Sequence, residues 1–137
     1  MSVAGITTKI HMVITLDGHV VEIMLSNGNT HDVSVAQEML SDVFCCTVLA
    51  DCGYDSDRFR DALRAQNNDP HIPSRKNRKI KPQYDKDLYK KRKIIEIKFG
   101  NTKENKRIDT RFDKSDLVYL AFISMACIKN LLNIIIS

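Results

Sequence analysis

Two runs rich in strand formers, Lys9–Leu16 and His19–Leu25, flank the dipeptide Asp17-Gly18. Asp-Gly is the preferred pair for a two-residue turn between antiparallel strands, so a β-hairpin is expected over residues 8–26. An all-helical fold is thereby excluded. Downstream the pattern changes period. Thr30 or Asp32 is placed to cap a helix running to about Leu40. The apolar run Cys45–Ala50 predicts a buried strand, and Ser56–Gln66 a helix. Pro70–Pro73 reads as a brief extended segment, and the basic stretch Arg75–Lys81 as a loop stopped by Pro82. Helices are expected from about Lys86 to Phe99 and from Ser115 to Ile135. This order predicts an α/β chain with a mixed sheet and flanking helices.

The 137 residues suit a single domain with a real core, and at 43% hydrophobic and 28% charged the chain is not a disordered tail. Its charge is sharply divided. Residues 1–70 hold 4 Lys/Arg against 10 Asp/Glu, whereas residues 71–114 hold 16 against 6. Such a division suits a surface facing a polyanion, although a solvated basic face gives the same arithmetic. The four cysteines, Cys45, Cys46, Cys52 and Cys127, form no CxxC pair. They are expected to be reduced thiols packed as small apolar groups in a cytoplasm. Residues 117–136 approach the length of a membrane span, but Lys129, Asn130 and Asn133 interrupt them, so a core helix is expected instead.

Two places carry candidate chemistry. Asp51 directly follows the apolar run, at the carboxyl end of a strand, where α/β folds place ligand sites. Gly53 lets the chain turn beside it; a turn-capping Asp has the same pattern. The second place is a helical stripe. With Tyr89 at 0°, Arg92 falls at about −60°, Glu96 at about −20° and Lys103 at about −40° at 100° per residue. Leu88, Ile95 and Phe99 fall at about −100°, −120° and −80°, an adjacent apolar strip. A carboxylate flanked by cations can hold a metal while the cations neutralise phosphate. An ordinary amphipathic helix with an Arg92–Glu96 pair also fits.

Tyr89, Arg92, Glu96 and Lys103 resemble the Y-(2)-R-(3)-E-(6)-K signature of bacterial insertion-sequence transposases of groups four and five. Ala50-Asp51-Cys-Gly-Tyr54-Asp55-Ser56 is similar to their A-D-x-G-Y-D-S segment. Ile72-Pro-x-Arg75-Lys76-Asn77-Arg78 is similar to their I-P-x-R-K-N-R run, and Arg107-Ile-x-Thr110-Arg111-Phe112-Asp113-Lys114 to R-I-x-T-R-Y-D-K. Thr7-Thr-Lys-Ile-His11 and Gly28-x-x-His31-Asp32 match the start of the same stretch, so the likeness runs along nearly the whole chain.

The resemblance implies a ribonuclease-H-like DDE catalytic domain, with residues 1–137 forming its carboxy-terminal part. In that family three carboxylates hold two divalent metal ions for DNA strand cleavage and strand transfer. Asp51 matches the second carboxylate and Glu96 the third, with Mg²⁺ or Mn²⁺ implied as the cofactor. Tyr89, Arg92 and Lys103 match the residues that accompany the Glu at DNA. Arg75, Lys76, Arg78, Lys79, Lys81, Arg107 and Arg111 complete the implied DNA-binding set.

Some features depart from the family pattern. The chain begins almost at the T-T-K-I-H segment, so the strand with the first catalytic Asp is expected to be missing, and Asp17 at a hairpin tip does not replace it. Gly100 costs about 1 kcal/mol inside a helix, Asn101 stands where an Arg is usual, and Cys52 where a Lys is common. Three readings follow. One is a transposase portion that needs an upstream segment, from a frameshift fusion or a second chain, or that associates with copies of itself. The others are a catalytically dead DNA-binding fragment that modulates an intact transposase, and a decayed remnant. Each places the protein in the bacterial cytoplasm, at the nucleoid, with DNA as its partner and no membrane.

Overall fold

The computed structural model describes residues 7–103 and 115–136. The chain divides into two compact units, one formed by residues 1–28 with 93–137 and the other by residues 29–92.

In the first unit, β1 (Thr8–Ile14) and β2 (Val20–Asn27) pair antiparallel, with Ile10 opposite Leu25 and Met12 opposite Ile23. The hairpin forms as expected, but its turn is not the two-residue Asp17-Gly18 type. The Thr15 amide donates to the His19 carbonyl at 2.9 Å, and the His19 amide donates to Thr15 Oγ1 at 3.1 Å. This pair closes a three-residue loop in which the Gly18 amide bonds back to Thr15 and Gly18 takes a left-handed φ of 84°. Glycine suits that position because it lacks a Cβ.

Alternation along the strands places Ile10 and Met12 on one face with Ile23 and Leu25, and a register shift between Glu22 and Val20 brings Val20 to the same face. Onto this face packs α5 (Asp116–Ile136) through Tyr119, Ile123, Ala126 and Cys127, whose spacing lines one side of a helix. His11 points to the other face, buried, and bonds Ser26 Oγ through Nε2 at 2.7 Å. α4 (Lys93–Lys103) lies against α5. It runs through Gly100, past the expected end at Phe99, and Thr102 is buried with its hydroxyl donating to the Lys98 carbonyl. Among the described residues no helix is long and apolar enough to cross a membrane.

The second unit contains α1 (Asp32–Met39), β3 (Thr47–Leu49), a 3₁₀ turn (Cys52–Tyr54), α2 (Asp57–Ala65), β4 (Asp69–His71) and α3 (Lys86–Lys90). His31, rather than Thr30 or Asp32, occupies the N-cap of α1, without a side-chain cap; Asp32 lies in the first turn, where its charge meets the helix dipole. Ser56 caps α2 by accepting from the Phe59 amide. α2 ends in a Schellman motif. Asn67 is left-handed at φ 58°, its amide bonds the Arg64 carbonyl, and the Asn68 amide bonds that of Leu63.

β3 and β4 pair in parallel, with Val48 opposite Pro70. β3 is shorter than the expected 45–50 because Cys45 takes a left-handed φ of 55°. As a result Cys45 and Cys46 are exposed, as is Cys52 in the 3₁₀ turn, and only Cys127 is packed as the sequence suggested. Val35, Met39, Leu40, Phe59, Leu63 and Ile72 are the buried apolar residues of this unit.

The α/β character is as expected. Among the described residues the strands pair as two separate two-stranded ladders, one antiparallel and one parallel. The single helix expected from Lys86 to Phe99 is two helices. The chain leaves regular α geometry at Lys91–Arg92, where the amides of Lys91 and Arg92 bond three residues back, to Leu88 and Tyr89.

Candidate functional site

Asp51 stands just past the carboxyl end of β3, as its place after an apolar run predicts. It caps the 3₁₀ turn, its Oδ1 accepting from the Gly53 amide at 2.7 Å. A Cβ at Gly53 would lie 2.8 Å from that oxygen, so the residue's lack of a side chain lets the carboxylate fold back onto the turn. The Asp51 side chain itself is exposed.

The other end of the turn is anchored on Asp55, whose side chain is 2% exposed. Its Oδ1 accepts from Nη2 of Arg60 at 2.9 Å and Nη1 of Arg78 at 2.8 Å, and its Oδ2 from the Arg75 amide at 2.9 Å. Burial pushes this carboxyl up. The hydrogen bonds from Arg75 and Arg60 and the charges of Arg78 and Arg60 outweigh it and hold the group below the ordinary carboxylate value. Arg60 also donates to the Ile72 carbonyl at 2.7 Å, and Arg78 pairs with Asp57. The Arg75 guanidinium reaches the carbonyls of Cys52 at 3.3 Å and Gly53 at 3.0 Å. The I-P-x-R-K-N-R run is therefore tied to the Asp51–Asp55 turn through both of its arginines, while Lys76, Lys79 and Lys81 beside them are exposed.

Tyr89 lies on α3, whose cap Asp85 accepts from the amides of Asp87 and Leu88 at 2.9 and 3.0 Å. Arg92 sits over the Tyr89 ring, 5.5 Å from its centroid, and Tyr84 meets the same ring edge-on at 5.5 Å. Burial raises the Tyr89 phenol; Arg92 opposes this, and the charges of Asp51 and Cys52 add to it. Tyr54 is similarly raised, by burial and then by Asp32 and Asp51.

Glu96 is exposed in the first turn of α4, and Lys103 is the last residue of that helix. Both belong to the first unit, whereas Asp51, Tyr89 and Arg92 belong to the second. Arg107 and Arg111 lie outside the described residues. Among the described residues, no group of three or more His, Cys, Asp or Glu could hold a metal ion. The resemblance offers Asp51 and Glu96 as oxygen ligands.

Sequence reasoning missed Asp55 and Arg60 as a pair. The available signal was an arginine between Phe59 and Leu63, on the buried side of α2. It also missed His71. Nδ1 of His71 accepts from the Asp85 amide at 3.0 Å, so in the neutral ring the proton is on Nε2, which bonds Asp69 at 2.8 Å. His71 thereby joins β4 to the start of α3.

Residues 3–131 match the family model described as the transposase DDE domain. The chain is also 33% identical, over 124 residues, to a Brucella ovis protein assigned as a transposase for insertion sequence element IS6501. That match covers 88% of this chain and 95% of the relative. No solved structure matches the chain significantly. With the family model spanning almost every residue, and a relative 33% identical along 88% of the chain, the chain belongs to the DDE transposase family.

Proposed function

We propose that residues 1–137 belong to the ribonuclease-H-like catalytic domain of an insertion-sequence transposase, acting in DNA strand cleavage and strand transfer. The observation that carries this reading is the placement of Asp51 just past the carboxyl end of a parallel strand, as the cap of the turn that follows. By the resemblance, Asp51 and Glu96 are the two carboxylates of the metal set in these residues, hard oxygen donors suited to Mg²⁺ or Mn²⁺. We infer that a third carboxylate joins them to hold a metal pair, and that residues 1–137 alone bind DNA without cutting it.

The cations we propose to contact DNA are Lys76, Lys79 and Lys81 of the basic loop and Arg92, together with Lys103, Arg107 and Arg111 by the resemblance. Arg75 and Arg78 add positive charge while bonded within the protein. Phosphate neutralisation releases counterions, so binding falls steeply with salt and tolerates changes of sequence. The element's own ends are incubated with the chain and Mg²⁺ or Mn²⁺, beside a Glu96→Gln control, and duplex binding is titrated at two ionic strengths. Salt-sensitive binding without cleavage is expected. Cleavage by the chain alone that disappears in Glu96→Gln overturns the two-carboxylate account, and absence of binding at low salt overturns the DNA surface.

A further inference from the structure

We propose that Arg75 is a positioning residue for Asp51. Its guanidinium holds the carbonyls of Cys52 and Gly53, and so fixes the turn whose Gly53 amide orients the Asp51 carboxylate. The inference rests on the reading of Asp51 as a reacting-site carboxylate, and it moves Arg75 from the set of phosphate contacts to the support of that site.

The geometry is built from a fixed base. The segment carrying Arg75 is pinned at three points. The Ile72 carbonyl accepts from Arg60, the Arg75 amide donates to Asp55 Oδ2, and Arg78 donates to Asp55 Oδ1. Asp55 and Arg60 are themselves buried, so the Arg75 backbone starts from a rigid point. From there Nε and Nη2, one edge of the guanidinium, address two successive carbonyls of the 3₁₀ turn. A planar fork can do this; a lysine ammonium, a point donor on a flexible stem, cannot hold the same two-bond geometry. The Cys52 carbonyl and the Gly53 amide that bonds Asp51 Oδ1 belong to one planar peptide, and the Gly53 carbonyl begins the next. Holding the carbonyls therefore sets the direction of the amide. That edge of the exposed Arg75 could also grip a phosphate in two-bond fashion, and here it is engaged by the two carbonyls.

The test compares Arg75→Lys and Arg75→Gln with the unaltered chain by NMR and amide hydrogen exchange. Removing hydrogen bonds from a charged donor predicts roughly tenfold faster exchange at Gly53 in both variants. The Gly53 amide and the Asp51 carboxyl carbon are expected to shift, while the amides of α2 keep their positions and protection. Unchanged Gly53 and Asp51 signals in both variants overturn the proposal. Equal loss of protection in α2 also overturns it, by showing general support of the fold. Duplex titration separates the two readings. Neutralising Lys76, Lys79 and Lys81 tests the DNA surface alone, whatever the Gly53 amide does. A loss of about one unit of salt slope in Arg75→Gln, with Gly53 unmoved, returns Arg75 to the phosphate contacts.

Discussion

Asp55 and Arg60 face each other as a buried ion pair, 2.9 Å from Oδ1 to Nη2, with side chains 2% and 1% exposed. The pair joins the start of α2 to the end of the site turn. It is also the meeting point of the basic segment, since Arg75 and Arg78 bond the same carboxylate.

Breaking such a pair from one side leaves a charge buried without compensation. Asp55→Asn is expected to cost about 3–5 kcal/mol, measured by chemical denaturation. Arg60→Met is expected to cost less, because Asp55 keeps Arg78 and the Arg75 amide. The opposite order would show that Arg60, through its bond to Ile72, is the true hub.

Asp55 also makes the fold acid-sensitive. Its folded value lies below the ordinary 3.8, so its contribution is complete above that value and disappears as pH falls through the lower, folded one. Denaturation midpoints followed from pH 5 downward are expected to fall less steeply in Asp55→Asn than in the unaltered chain. Parallel curves would place the acid sensitivity elsewhere.

Gly53→Ala tests the site without touching a charge. The added Cβ would stand 2.8 Å from Asp51 Oδ1, so the carboxylate must swing and release the Gly53 amide. One exposed hydrogen bond is worth about 1 kcal/mol, so the chain stays folded. A changed Asp51 carboxyl resonance in a folded protein is the expected result, and an unmoved one would mean that the turn tolerates a side chain.

In the first unit the core contact is a single helix face on the hairpin. Ile123, with no exposed surface, is expected to lose about 2–5 kcal/mol on replacement by Ala. Val118, 43% exposed on the same helix, should change by less than about 0.5 kcal/mol. Thermal melts of both variants check the contrast; equal losses would put α5 in a different rotation.

Most elements were legible because their signals are local. Apolar periodicity marked the hairpin and α5, and the apolar run before Asp51 marked β3 and the place of that carboxylate. The misplaced features depend on contacts the sequence does not print. The hairpin turn is decided by the Thr15–His19 pair rather than by the Asp-Gly preference. The stripe from Tyr89 to Lys103 assumed one unbroken helix, and the tight bonds of Lys91 and Arg92 interrupt it. Arg75 and Arg78 count as surface cations in a charge tally, yet their partners are a buried acid and two carbonyls 20 or more residues earlier. Composition registers charge but not the direction in which a guanidinium points.

Pro70 gives the parallel ladder a direction of growth. The Asp69 amide bonds the Cys46 carbonyl, so the backbone groups of 69 and 71 face β3, and those of 68, 70 and 72 face outward. On that outward side the Asn68 amide is bonded to Leu63, Pro70 has no amide, and the Ile72 carbonyl is held by Arg60. A newcomer strand finds almost no template there. Any extension of this sheet, by another stretch of polypeptide or by a neighbouring molecule, must dock alongside β3, on the flank whose strand leads directly into Asp51.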